Sequence, residues 1–517
     1  MKKVINANYL LALFLLISST VTVAADLNNR LNNIKERVNK LDSLEASFWM
    51  KYGFDSVSGS FYGIVKDDGT PDKTAGKGLI QQSRHLWAFS TYYGLKNKSE
   101  KVKNLCDKLF SFIVTSYTDA ATKGMFFKVN STGKEPVKTK MCYAEGFAVY
   151  AFSEYSRVFN SQEARQRALD IFKAIDNRAH DPVNGGYDQT KDDDNWSKPA
   201  PKETNTLIHL MEAYTTLFEI SQDRQVLARL EELFNVILSK VIQPAGYAEQ
   251  TFTLDWKPYS TDKSVSYGHD IETAWLLMEA AEALGKSKDT SVTNKIIKLG
   301  ATAIREGFDS SNGGMFESGI AGDKVVSSNK IWWAHNEALA GLWLLFSLTN
   351  DTTYITKLEK TLDWIENKQM SKVNKSVCYW QVDGSGNAIG TQGTNAGSEW
   401  KASYHSMRSY MFVEKWINDY LSTNVSKSPS KNSRKILNIS INNNQLKITS
   451  PVSQTALNKT IKIDIFNLKG QNCYTSILTR AEKSIICNLD QIRLAPGLYT
   501  VELHSDNLQH KGSFVKN

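Results

Sequence analysis

One short pattern, a glycine followed by aromatic residues, recurs along most of the chain and limits its fold more than any other feature. It reads "SGSFYG" at 58–63, "TKGMFF" at 122–127, "NGGYDQ" at 184–189, "PAGYAEQ" at 244–250 and "NGGMFES" at 312–318, with a degenerate copy "KSVCYWQV" at 375–382. The copies lie roughly 60 to 68 residues apart, the mark of a repeat architecture. Each is followed by a segment that opens with polar groups and turns apolar. These are "SRHLWAFSTYYG" from Ser83, "CYAEGFAVYAFSEY" from Cys142, "NTLIHLMEAYTTLF" from Asn205, "GHDIETAWLLMEAAEAL" from Gly268, "WAHNEALAGLWLLFSL" from Trp333 and "YHSMRSYMFVEKWI" from Tyr404. Their apolar spacing is helical, and helices hydrophobic on most sides are buried ones. Amphipathic segments such as "KVKNLCDKLFSFIVTSY" from Lys101 alternate with them. Six two-helix units predict an all-α (α/α)6 barrel with the apolar helices inside. An open solenoid uses the same repeats. A count of six, and polar residues at one end of every inner helix, favour closure.

Closure brings the starts of the inner helices to one mouth. Arg84, His85, Tyr143, Asn205, His209, His269, Glu272, Glu337, His405 and Arg408 are then expected to converge. The chain has eight histidines, and four of them (His85, His209, His269, His405) fall near inner-helix starts, with His335 a candidate fifth. His269 and Glu272, three apart, share a helix face. Trp87, Trp332, Trp333, Trp380 and Trp400 are expected nearby, and aromatic faces beside polar groups suit sugar rings. For Trp332 and Trp333, core packing is the competing expectation. The run Asp192-Asp193-Asp194 reads as a solvated loop.

The sequence has no metal-ligand spacing, Gly-rich phosphate cradle or Gly-x-Ser-x-Gly elbow. The net charge of +8 is modest for 517 residues. With no basic run of five, no nucleic-acid partner is expected. Two histidines can form a general acid/base pair near neutral pH. Glu272 and Glu337 could orient them, and Arg84 could stabilise an oxyanion. This set suits proton abstraction beside a carbonyl. It suits glycoside hydrolysis by two carboxylates as well, and the residues alone leave both open.

The ends of the chain differ from its middle. Lys2 and Lys3, an apolar run from Tyr9 to about Val23 and Val-Ala-Ala ending at Ala25 read as a secretory signal peptide, 1–25, rather than a retained anchor. No later run is long enough for stable membrane insertion. Residues 423–435, "TNVSKSPSKNSRK", form a polar linker. Alternating strands over 436–517 predict a small all-β sandwich. Cys473 and Cys487 flank a possible hairpin there, and either pair or lie buried.

The stretches "SRHLWAFS" (83–90), "KMCYAEGFAVYAFSEY" (140–155), "NTLIHLMEAY" (205–214), "GHDIE" (268–272), "WWAHNEA" (332–338) and "EWKASYHSMR" (399–408) together resemble the N-acylglucosamine 2-epimerase superfamily. They are most similar to its cellobiose/mannobiose 2-epimerase branch, over about residues 27 to 422. The resemblance implies that 26–422 is an (α/α)6-barrel domain acting on a β-1,4-linked disaccharide or oligosaccharide. Such a domain interconverts glucose and mannose at the reducing end without a cofactor or metal. By the same resemblance, His269 and His405 move the C2 proton through an enediolate. His209 and Arg84 serve ring opening and the oxyanion, and Tyr143, Asn205, Glu272, Trp333, Glu337 and Trp400 bind or orient substrate. Three departures, Ser403 where proline is common, His85 and His335, are expected to bear on substrate choice. An aldose–ketose isomerase of the same fold, an (α/α)6 glycoside hydrolase or lyase, and a glycan-binding barrel are the alternatives. The tail, "IDIFNLKGQ…LAPGLYTVEL…KGSFVKN", resembles the C-terminal sorting domain of type IX secretion substrates. That implies the type IX machinery as a partner and an extracellular or cell-surface location. A carbohydrate-binding module is the rival reading of the tail.

Overall fold

The repeats fold as twelve helices, seen in a computed structural model that describes residues 7–189 and 201–425. Of the remainder it describes the strands 438–442, 445–449, 461–467, 472–478, 484–488, 497–505 and 508–516. The run Asp192–Asp194 and most of the expected linker, 426–435, lie outside the described residues. The inner helices are α2 (Leu79–Leu95), α4 (Cys142–Phe159), α6 (Thr204–Ser221), α8 (Tyr267–Ala283), α10 (Trp332–Thr349) and α12 (Tyr404–Val425). The outer ones are α1 (Ala7–Phe48), α3 (Glu100–Tyr117), α5 (Gln162–Ala179), α7 (Arg224–Val236), α9 (Thr290–Gly307) and α11 (Thr353–Trp364). Helix α1 includes the described part of the expected signal peptide, from residue 7, and α12 runs past the expected linker start at 423. No helix among the described residues is long and apolar enough to cross a membrane.

The division into inner and outer helices follows from composition. In α4, fifteen consecutive residues from Cys142 to Ser156 are buried, whereas α5 buries only one stripe, through Ala164, Ala168, Ile171 and Ile175. Four of the outer helices start at side-chain caps. Ser99, Ser161, Asp223 and Asp289 each accept a backbone N–H of the first turn, which satisfies donors that a helix start leaves open.

All six Gly-aromatic loops are equivalent, the degenerate copy included. Each makes the same antiparallel bridge back to the end of the preceding outer helix: Phe54 with Phe61, Thr118 with Met125, His180 with Tyr187, Ile242 with Ala248, Phe308 with Met315, and Met370 with Cys378. In four repeats the fourth residue of the inner helix holds this loop by accepting a loop N–H. The acceptors are Gln82 (from Phe61, 2.8 Å), Glu145 (from Met125, 2.8 Å), Asp270 (from Ala248, 3.1 Å) and His335 (from Met315, 3.0 Å). In four repeats a lysine two residues before the inner helix reaches an aspartate of the loop. The pairs are Lys77–Asp55, Lys140–Asp119, Lys202–Asp181 and Lys330–Asp309.

The ring is closed, not an open solenoid. Rim strand Asn395–Gly397 pairs with Ile64–Lys66, joining the last repeat to the first. Outside, Arg30 of α1 binds Glu359 of α11 (2.7 Å), and Arg37 binds Asp363 (2.7 Å) and Glu366 (2.9 Å). Inside, Trp87 of α2 meets Tyr404 of α12 edge-on at 5.5 Å.

The chain divides into two compact units, Met1–Asn418 and Asp419–Asn517. The second holds two antiparallel sheets. One orders strands 438–442, 445–449 and 484–488. The other orders 472–478, 461–467, 497–505 and 508–516. Cys473 and Cys487 therefore stand on strands of different sheets instead of flanking one hairpin, and Cys473 is exposed.

The buried lysines set up an asymmetric test. Lys330 is 0 % exposed, donates to Asp309 (2.8 Å) and the Gly313 carbonyl (2.7 Å), and lies 3.5 Å over the Trp364 ring. Asp309→Ala leaves that charge buried and unpaired, and is expected to cost about 3–5 kcal/mol in denaturant unfolding. Lys330→Met, which removes the cation and keeps the volume, should cost far less. Equal costs would contradict this account.

Candidate active site

The second and sixth residues of the inner helices turn toward the barrel axis, one helical turn apart. They supply Tyr143, Asn205, Trp333 and His405 from the second position, and Arg84, His209, Glu272 and Glu337 from the sixth. The centre of this set is Arg408. Its guanidinium is fully buried and donates from Nη2 to Glu272 (2.8 Å) and Glu337 (2.7 Å). From Nη1 it donates to Glu212 and to the Tyr404 hydroxyl. Tyr404 in turn donates to Glu212 at 2.6 Å. The rings of Tyr404 (4.0 Å) and Trp275 (4.5 Å) cover the guanidinium. One cation thus collects carboxylates from α6, α8 and α10. Ligand atoms of Glu272, Glu337 and His405 lie within 4.8 Å of one another, and both carboxylates of that trio are already engaged by Arg408.

Two of the three central histidines are oriented by carboxylates. His405 Nδ1 lies 2.6 Å from Glu337 Oε1, and His209 Nδ1 lies 2.9 Å from Glu212 Oε2. Glu337 already accepts from Arg408 and, at 2.9 Å, from Trp275 Nε1. An oxygen so placed acts as an acceptor, so the His405 proton belongs on Nδ1 and Nε2 keeps its lone pair. His269 differs: its Nδ1 has no hydrogen-bond partner among the described residues. Its ring rests on Trp333 at 4.7 Å, and Trp333 lies 5.8 Å from His405. Gly268 permits this stack, because a Cβ there would stand 2.6 Å from the Trp333 ring.

The same three-residue spacing gives a bond at one place and none at another. His209 and Glu212 are three apart and bond. His269 and Glu272 have the same spacing, yet Glu272 reaches Arg408 instead. It stays 3.9 Å from His209 Nε2 and 3.8 Å from His405 Nδ1. Glu212, Tyr404 and Trp275 were not expected in the site. The His209-x-x-Glu212 spacing was the available signal for the first of them.

Burial sets the protonation of the site. It pushes His269 down to about 4, with repulsion from His209 adding to the effect. It pushes His405 well below the ordinary histidine value, helped by the Arg84 and Arg408 charges. His209 is lowered by burial and partly restored by Glu212. All three imidazoles are therefore neutral near pH 7. Burial also raises Glu272 and Glu337 against the pull of Arg408. For Glu212, burial is outweighed by Arg408, His209 and Tyr404, which hold it at about 2.

Arg84 lies beside this cluster, donating to the Tyr143 hydroxyl (2.8 Å) and the Trp400 carbonyl (2.6 Å) over the Phe147 ring (4.3 Å). A cleft of about 350 Å³ opens next to it, lined by Tyr143, Gln189, Glu203, Asn205, Glu399 and Trp400 among others. Asn205 Oδ1 there has no hydrogen-bond partner among the described residues, and Trp400 is 37 % exposed.

His85 and His335 do not join the site. His335 is one of the loop-holding fourth residues. His85 stacks on Phe61 at 3.8 Å and bonds Ser403 Oγ through Nδ1 at 2.9 Å. Two departures from the family pattern, His85 and Ser403, are thus one hydrogen-bonded pair behind the site. The Trp332–Trp333 pair divides: Trp332 is buried against Trp380 at 4.5 Å, while Trp333 is half-buried beside His269. Trp87 is core, stacked on Tyr150 at 5.1 Å.

Comparison with known proteins agrees with this geometry. Residues 59–408 match the N-acylglucosamine 2-epimerase (GlcNAc 2-epimerase) family, and residues 431–517 match the secretion system C-terminal sorting domain. The chain is 29% identical to a cellobiose 2-epimerase of Dictyoglomus turgidum, over 72% of this chain and 95% of that protein. It is 28% identical to one of Bacteroides fragilis, over 70% and 93%. The solved cellobiose 2-epimerase of Spirochaeta thermophila superposes with a TM-score of 0.70 at 27% identity, covering 76% of this chain and 98% of that one. With a family match spanning more than half its length on a closed helical barrel, this chain belongs to the N-acylglucosamine 2-epimerase family of carbohydrate epimerases and ends in a secretion sorting domain.

Proposed function

We propose that this protein is a secreted sugar 2-epimerase that interconverts glucose and mannose at the reducing end of a β-1,4-linked disaccharide or short oligosaccharide. The observation that carries the reading is the pair His269 and His405, two neutral imidazoles ranged about one indole, Trp333. Epimerisation needs a base on one face of C2 and an acid on the other, and histidines serve both roles. In this reading His209 assists ring opening. One of His269 and His405 removes the C2 proton, Arg84 and its Tyr143 partner stabilise the enediolate oxygen, and the other histidine returns a proton to the opposite face. Asn205 and Trp400 hold the sugar units in the cleft, and Glu337 and Glu272 orient. Return of the proton to C1 would give a ketose instead. Hydrolysis by a carboxylate pair fits less well, because Glu212, Glu272 and Glu337 are all bound to Arg408.

We further propose that residues 1–25 are a signal peptide, 26–422 the catalytic domain, 423–435 a linker and 436–517 the sorting domain. The protein would then work outside the cell after passage through the type IX machinery, which the match over 431–517 supports.

Proton NMR of the protein with cellobiose, and separately mannobiose, in D2O should show deuterium at C2 and the epimer appearing. A ketose would select the isomerase, and new reducing ends without exchange a hydrolase. His269→Asn and His405→Asn should each lower C2 exchange by about 10²-fold or more, and full activity in either would remove its assigned role. The acid limb of kcat/KM should fall near pH 4 rather than near 6.5, because the base stays unprotonated down to the value at which His269 is held. Glu337→Gln should lower kcat more than it raises KM, since the change loosens His405 without touching the sugar.

A further inference from the structure

At the opposite end of the barrel, the C-terminal ends of the inner helices surround a second cavity of about 430 Å³. A recess of about 150 Å³ shares Glu279, Glu282 and Trp416 with it. Its lining is rich in carboxyl groups. Glu154, Glu219, Glu279 and Glu282 line it against Arg157 and Lys415. Arg157 is engaged by Glu154 (2.5 Å) and Glu219 (3.6 Å). The converging helix ends add partial negative charge of their own.

Several polar groups there lack partners. Glu279 makes no hydrogen bond or ion pair with a described residue, and burial, with repulsion from Glu212 in the layer above, pushes it up to about 8, so near pH 7 its carboxyl ionises only as a cation arrives to pair with it. Tyr150 is 4 % exposed and Thr216 8 % exposed, and both line the cavity. Neither hydroxyl bonds another described residue. Buried polar groups without partners are costly and rare. The remaining wall is aromatic: Phe412 and Trp416 in the cavity, Trp343 in the recess.

Each alternative ligand uses only part of this set. A hydrated metal ion gains little from indole faces, and a neutral sugar does not need an unpaired carboxylate. An alkylammonium uses both, with its charge on the carboxylate and the aromatic faces and its methylenes against the rings. We infer that this lower mouth is a binding site for a small aliphatic amine of the diamine class, with the ammonium at Glu279 and the stem along Phe412 and Trp416. The site is separate from the sugar site. The layer of Tyr404 and Arg408 divides them, with Tyr150 edge-on to Tyr404 at 6.2 Å.

The test is isothermal titration calorimetry of the full chain with 1,5-diaminopentane, up to about 10 mM, the weak end of specific affinity. Saturable one-to-one binding is expected, unaffected by saturating cellobiose. Glu279→Gln should weaken it about tenfold or more, the loss of one charge-assisted hydrogen bond, with the melting temperature unchanged or raised. Trp416→Leu should weaken it as well, which keeps the test open if the first variant folds poorly. No saturable heat, displacement by cellobiose, affinity unchanged from the unsubstituted protein in both variants, or binding of calcium in place of the amine would each overturn the assignment.

Discussion

The buried Arg408 guanidinium is the interaction on which the rest of this site depends. Three carboxylates from three helices would repel one another in a closed, low-dielectric interior. Arg408 turns that repulsion into a framework, because its planar fork can serve several oxygens at once. Once Glu337 and Glu212 are fixed, their remaining lone pairs fix the tautomers of His405 and His209. The geometry of these two imidazoles is thus set by an ion cluster. The barrel wall supplies the other condition. It keeps water away, so the imidazoles stay neutral and each charge keeps its strength.

His269 stands outside this framework. Nothing locks its Nδ1, and an aromatic face positions its ring instead of a carboxylate. Two histidines of similar task are therefore held by different forces, one by charge and one by stacking on Trp333 across a residue with no side chain.

Much of the fold was legible because the repeat is periodic. The Gly-aromatic loops and apolar helices predicted twelve helices, their nesting and ring closure. Position within the helix was less legible. His335 and His85 looked like site residues because they are histidines near a helix start, but His335 is a fourth residue that points back at its loop, and His85 stacks on Phe61 behind the site. The second and sixth face the axis. Asp270, in the middle of "GHDIE", is such a loop-holder, and a helical wheel laid over all six repeats separates it from its neighbours. The Lys–Asp pairs were written in the sequence at fixed offsets too, yet a lone lysine before a helix carries no local signal. Tyr404 could be placed only once Arg408 was known to cross the interior. Which carboxylate takes which histidine is decided by long-range packing, and spacing alone gave the same answer for His209 and His269.

The joining of the last repeat to the first has a bearing on how the molecule comes into being. Arg84 meets Trp400 across 316 positions of chain, and His85 meets Ser403 across 318. Contacts of such separation pay their loop-closure entropy late. Helix α12 carries both His405 and Arg408 and is the last helix of the barrel to leave the ribosome. Until it arrives, the carboxylates of α6, α8 and α10 have no counter-charge and the ring has a gap. The active centre is therefore assembled by the same event that completes the barrel, and a truncated or half-threaded chain has no partly working site to display.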